Sequence, residues 1–200
     1  MKNKLFKLLF FFLVLVIFGC SKEDITNGCT PITCLNGGIS QADCGCNCPD
    51  GYGGLNCGTQ LTPLKILITK IRVKKFPNLR ANATEWDANA IFNPFTRPDI
   101  FPAFYDSAGN LLYSDSAIQD AFSNGNDQFY FIPSNPIQIT NLTSTYNLIL
   151  FDEDTSTTAE AIGGWTSMQL YSSTGGFPSI LIFGQASDAV IFELSLQYVF

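Results

Sequence analysis

Phe192-Glu193-Leu194-Ser195-Leu196-Gln197-Tyr198-Val199-Phe200 decides the fold. Apolar side chains at 192, 194, 196, 198 and 200 alternate with Glu193, Ser195 and Gln197. That period of two is the signature of a half-buried strand. Working back along the chain, strand-like runs occur at 64–76, 101–105, 128–132, 137–139, 146–151, 167–171 and 180–183. Turn-forming clusters separate them: Asp106-Ser107-Ala108-Gly109-Asn110, Ser123-Asn124-Gly125-Asn126 and Ser173-Thr174-Gly175-Gly176. Only 117–122 looks helical. Residues 64–200 therefore read as an eight-stranded antiparallel sandwich or barrel, and the chain as mainly β. In the first run Ile66 and Ile68 share a face that Ile71 and Val73 do not, so a bulge is expected near Thr69.

Composition narrows the function. The 200 residues contain no His, so Ser-His and Cys-His nucleophile pairs and His-liganded zinc or haem are excluded. A net charge of −6 speaks against nucleic acid, whose phosphates need clustered Lys and Arg. Aromatics at 14%, with 18 Phe, argue for a packed core rather than disorder.

Lys2, Lys4 and Lys7 precede an apolar run at 8–18 and then Gly19-Cys20. Eleven residues rise about 16 Å as a helix, short of a bilayer core of about 30 Å, so an export signal over 1–19 is expected rather than a membrane span. Val16-Ile17-Phe18-Gly19-Cys20 resembles the bacterial lipoprotein signal. That resemblance implies cleavage before Cys20, diacylation of its thiol and attachment to the membrane through the N-terminal lipid. Residues 20–28 form a polar tether. Its Ser21-Lys22-Glu23-Asp24 resembles the signal for the outer face of the outer membrane, although a solvated linker reads the same way. The expected location is the outer membrane, lipid-anchored and surface-exposed.

Without Cys20, six cysteines remain between 29 and 57. An even set packed into an exported segment too short for its own core means disulfides, with a zinc cluster as the rival reading. Six cysteines allow 15 connectivities. The run Cys34-Leu35-Asn36-Gly37-Gly38, then Cys46-Asn47-Cys48-Pro49 and Gly51-Tyr52-Gly53-Gly54 before Cys57, resembles an epidermal-growth-factor-like (EGF-like) module. The resemblance implies Cys29–Cys44, Cys34–Cys46 and Cys48–Cys57, although the third Cys falls later than the family's pattern. Residues 58–63 read as a linker to the large domain.

The segment Leu150-Phe151-Asp152-Glu153-Asp154, followed by Glu160-Ala161-Ile162-Gly163, is strand running into acids. Asp-x-Asp at a strand end aims two carboxylates at one point, which suits Ca²⁺, a hard cation wanting six to eight oxygens. With the earlier Trp86-Asp87 and Pro98-Asp99-Ile100-Phe101-Pro102, this segment resembles the third and first calcium loops of the C2 domain, a calcium- and phospholipid-binding β-sandwich. Carried over by position, the resemblance implies calcium ligands at Asp87, Asp99, Asp152, Asp154 and Glu160. Two features depart from the family: eleven residues separate the first loop's acids, and the last acid is Glu. Alternatively the acids solvate loop tips, or two of them serve as the acid and base of a glycosidase. Phe92 and Phe95 in the first loop are expected either to contact a ligand or membrane, or to fold back onto the core.

Six basic residues, Lys65, Lys70, Arg72, Lys74, Lys75 and Arg80, lie within sixteen residues free of acid, whereas 81–200 holds thirteen acids and Arg97 alone as a cation. The basic stretch either meets an anionic lipid or polysaccharide or discourages edge pairing. Asp106-Ser107-Ala108 and Asp115-Ser116-Ala117 resemble a bacterial O-glycosylation acceptor. The expectation is a non-enzymatic anchored module that recognises a glycan, lipid or protein with calcium, or else a structural subunit of an envelope complex.

Overall fold

The computed structural model describes residues 29–87, 96–125, 129–154 and 158–200. The expected signal peptide, the tether and Cys20 lie outside them. Every regular element among the described residues is a strand, and every pairing is antiparallel.

Four two-residue strands shape the N-terminal module. β1 (Ile39–Ser40) pairs with β2 (Cys46–Asn47), and β3 (Tyr52–Gly53) pairs with β4 (Thr59–Gln60). Disulfides Cys29–Cys44, Cys34–Cys46 and Cys48–Cys57 cross-link this segment. Such short strands bury too little to persist alone, so the cross-links carry the module. Residues 58–63 are not a free linker: β4 closes the module's second ribbon, and Leu61 N–H donates to Gly51 C=O at 2.7 Å.

The large domain packs two sheets around one core. β5 (Lys65–Lys75), β6 (Ile100–Asp106), β7 (Leu111–Ser114), β8 (Phe129–Phe131), β9 (Ile137–Ile139), β10 (Tyr146–Asp152), β11 (Glu160–Met168), β12 (Ile180–Phe183) and β13 (Ile191–Val199) follow in chain order. One sheet runs β11-β10-β6-β7; the other runs β12-β13-β5-β8, with β9 also on β5. β8 pairs with 71–73 of β5 and β9 with 66–68, so two short strands fill one position beside β5.

Among the described residues of this domain nine strands thus stand where eight were expected, and the extra one is β7. Its Leu111 and Leu112 are exposed on a sheet edge, so no alternation marks it. β11 covers 160–168 rather than the expected 167–171. Gly164 explains the cryptic start, because a Cβ there would lie 2.3 Å from the Leu148 carbonyl oxygen and 2.7 Å from Ile149 Cα. Close backbone approach requires a residue that carries no strand signal.

The bulge lies at Thr69. Ser195 pairs with Lys70 and Leu196 with Ile68, leaving Thr69 unpaired in the ladder while its hydroxyl donates to Ser195 C=O at 3.2 Å. One extra residue restores the phase, so Ile66, Ile68, Ile71 and Val73 all enter the core. They meet Phe192, Leu194 and Leu196 of β13 and, from the other sheet, Phe104, Leu148 and Leu150.

The module docks at the end of the sandwich where β5 begins and β13 finishes. Phe177 stands edge-on to Tyr52, Tyr198 and Phe200, with ring centroids 5.3, 5.2 and 4.9 Å away. Gly51 has φ +86°, and a Cβ there would fall 2.3 Å from the Phe177 ring. Gln60 Nε2 donates to Ser172 C=O at 2.7 Å, and its Oε1 accepts Gly176 N–H at 2.8 Å. Module and sandwich are therefore joined by packing as well as by chain.

Candidate metal centre

At the opposite end of β5 the chain enters a loop anchored at three points. Asn78 exchanges two hydrogen bonds with the Ser123 backbone, at 2.9 and 2.7 Å. Trp86 is buried, and its indole N–H donates to Pro77 C=O at 3.1 Å. Arg80 closes a tight turn with Thr84, N–H to C=O at 2.9 Å. This loop delivers Asp87. β6 and β10 deliver the others, since Asp152 faces Ile100 in their ladder. The Asp99 N–H donates to Asp152 Oδ1 at 2.7 Å, and Glu153 N–H donates back to Asp99 C=O at 2.8 Å.

Asp87, Asp152 and Asp154 converge, each offering a carboxylate oxygen within 4.8 Å of those of the other two. Asp152 has no exposed surface and is the one buried charged residue among those described. Its Oδ1 holds the Asp99 N–H, whereas Oδ2 is buried without a hydrogen-bond partner. A buried carboxylate oxygen without a donor is costly, by about 1 to 3 kcal/mol or more when ionised.

The electrostatics record that cost. Burial pushes the Asp152 carboxyl up to about 7, against the relief given by the Asp99 N–H and with further push from Asp87, Asp154 and Asp99. Asp87 is pushed up to about 6 by burial first, then by Asp99 and Asp154, with Arg80 pulling the other way. Crowded carboxylates of this kind are relieved by a proton or a cation. The donor set, all hard oxygen, matches Ca²⁺ chemistry.

The other two expected ligands are placed differently. Asp99 lies close enough to act on both shifted acids, but its Oδ1 accepts the Asp120 N–H at 2.6 Å and it is not one of the converging three. Glu160 faces Asp152 across the β10–β11 ladder, yet its Oε2 takes two N–H groups from Arg80, at 2.7 and 3.0 Å. Glu160 is thus held in an ion pair with Arg80 and is not one of the converging three. Phe92 and Phe95 lie outside the described residues.

Two residues escaped the sequence reading. Arg80, counted with the basic strand, folds back onto the acidic end. Arg97, the cation expected there, stacks over Phe122 at 4.5 Å. Asp120 belongs to the stretch expected to be helical. That stretch instead bridges Ile118 to Ile100 and turns at Asp120 with φ +52°. Six residues are too few for a stable helix, and the Asp99 carboxylate captures the amide that a helix would use.

No protein-family model matches the chain, and no curated protein matches it. Among solved structures a C2 domain of plant extended synaptotagmin 1 is similar to it, at 12% identity over 69% of this chain and 96% of that chain, with a TM-score of 0.35. A likeness so loose carries no argument about the site, which stands on its own geometry.

Proposed function

We propose that this chain is a non-enzymatic, lipid-anchored module of the cell envelope, displayed on the outer membrane, that binds calcium through Asp87, Asp152 and Asp154. The acidic end recognises its ligand, a glycan, a lipid or an envelope protein. The observation that carries the calcium reading is Asp152: a carboxylate with no exposed surface, one oxygen unsatisfied, beside two more carboxylates. Fold stability alone gives no reason for such a group.

The arrangement supports display. The N-terminal module, read as an EGF-like spacer, packs where β5 begins, and the acids lie past its far end, eleven residues or about 35 Å away. A spacer fixed by Phe177 and Gln60 holds that end away from the anchor. A second reading, an envelope subunit in which calcium serves stability alone, draws on the two sheet edges, where Leu111 and Leu112 of β7 and Ile180 and Ile182 of β12 are exposed.

Calorimetric titration of the mature protein with Ca²⁺ tests the metal reading. The expected result is binding with Kd of about 10⁻⁴ to 10⁻³ M, in the range of extracellular modules, with much weaker binding of Mg²⁺. Calcium at about 100 times Kd should add about 2.7 kcal/mol of stability. Absence of binding heat, together with identical melting in chelator and in excess calcium, would refute it.

A further inference from the structure

We propose that Arg80 is the resident cation of the acidic end, holding Glu160 out of the metal site and thereby limiting that site to a single divalent ion. The inference rests on the reading that Asp87, Asp152 and Asp154 bind calcium. It starts from a position: Glu160 is the ladder partner of Asp152, so a freed Glu160 carboxylate starts next to the converging acids. A second dication would need that carboxylate. Three Asp groups, completed by backbone oxygens and water, suffice for one ion that takes six to eight oxygens, and two ions need more.

Arg80 is committed on every side. Nη2 and Nε grip Glu160 Oε2 at 2.7 and 3.0 Å, and Nη1 donates to Glu85 C=O at 2.7 Å. The guanidinium also lies over the Trp86 ring, 5.2 Å from its centroid. Glu85 and Trp86 directly precede Asp87, so the same grip that neutralises Glu160 holds the loop that carries a ligand. A planar, permanently charged fork suits both tasks, and Lys would supply the charge without the fork. The Arg80 charge acts on Asp152 and Asp154 as well, which makes it an electrostatic substitute for a second metal.

The test is calcium stoichiometry, by native mass spectrometry and calorimetry, on the mature wild type and on Glu160→Gln, Arg80→Gln and the double variant. The wild type should take one ion. Glu160→Gln should also take one, with Kd within about threefold of wild type. Arg80→Gln frees Glu160 and should take a second ion or bind the first at least tenfold tighter, and Arg80→Gln with Glu160→Gln should lose that gain. Two ions on the wild type, one of them lost in Glu160→Gln, would make Glu160 a ligand and overturn the inference while leaving the calcium reading intact. Identical behaviour of Arg80→Gln with and without Glu160→Gln would overturn it too. No uptake by any of the four overturns the calcium reading and this inference together. Should Arg80→Gln fail to fold, Arg80→Lys, which keeps the charge but not the fork, replaces it: a gain in calcium binding that Glu160→Gln abolishes supports the inference, and no change overturns it.

Discussion

Asp152→Asn should make the calcium-free protein more stable and the calcium-loaded protein less stable, a crossing of sign that a simple packing residue cannot produce. In the unfolded chain Asp152 releases its proton near the ordinary value of 3.8, whereas the folded protein holds it to about pH 7. The folded state therefore binds more protons across that window, and stability falls as pH rises through it. At 1.36 kcal/mol per unit the full penalty above pH 7 is capped at about 4 kcal/mol. Asn keeps an oxygen for the Asp99 N–H but accepts it less strongly than a carboxylate, returning about 1 kcal/mol. The net gain for Asp152→Asn in chelator at pH 8 is then about 2 to 3 kcal/mol. At about 2 to 4 °C per kcal/mol for a domain of this size, the melting temperature should rise by about 5 to 10 °C. At pH 4.5 the folded group is protonated and the pH lies only a little above the unfolded value of 3.8, so the penalty shrinks to about 1 kcal/mol and the two proteins should melt within about 4 °C of each other. In excess calcium at pH 8 the order should invert, because the wild type gains binding energy that the variant lacks. The assay is a set of thermal melts at pH 4.5 and 8, with chelator and with calcium. A variant that melts lower than wild type in chelator at both pH values would show that the Asp152 carboxylate stabilises the calcium-free fold, and the strain argument would be refuted.

The junction and the module yield two more predictions. Gly51→Val places a branched side chain where a single Cβ already meets Phe177 and Phe200, at a φ that L residues rarely adopt, so it should cost about 2 kcal/mol or more of docking. Limited proteolysis should then cut within 29–63 at a protease dose that leaves the wild type whole, and an unchanged digestion pattern contradicts the packed junction. Reduction removes three bonds typically contributing about 2 to 4 kcal/mol each, so it should unfold 29–57 and alter near-ultraviolet signals from Tyr52 and Tyr198. Calcium affinity should stay within about threefold, because the site lies about 35 Å of strand away; a tenfold loss would mean that the module supports the acidic end directly.

How far the fold was legible depended on burial. β5, β10 and β13 each have one face in the core, so the alternation was printed in their sequences, and even the Thr69 bulge showed as a phase change between Ile68 and Ile71. β7 and β11 are edge strands with mostly exposed or half-exposed residues, and nothing forces alternation on them. The module's short strands left no periodic signal; its outline was read from cysteine spacing and glycine turns. The docking of Phe177 between Tyr52 and Phe200 joins positions more than 120 residues apart, and no local pattern encodes it.

The acidic end divides along the same line. Asp152 and Asp154 were legible because a strand end fixes where Asp-x-Asp points, and the two positions cannot move independently. Asp87 depended on a loop, and what places it is a set of contacts between distant residues: Asn78 on Ser123, Trp86 under Arg80, Arg80 on Glu160. The pairing of Glu160 was hidden for the same reason, since its partner arrives from 80 residues away. Arg80 did leave a trace. It stands apart from the other five basic residues, after Phe76-Pro77 has ended the strand, and it is the last cation before the run of acids begins. A lone Arg in a loop that leads to a carboxylate has one nearby use that long-range charge favours, because each ionised acid at that end raises the energy of the others. Removing it should therefore be felt at Glu160 first and at the metal second, the order in which the hydrogen bonds and the longer-range attractions are arranged.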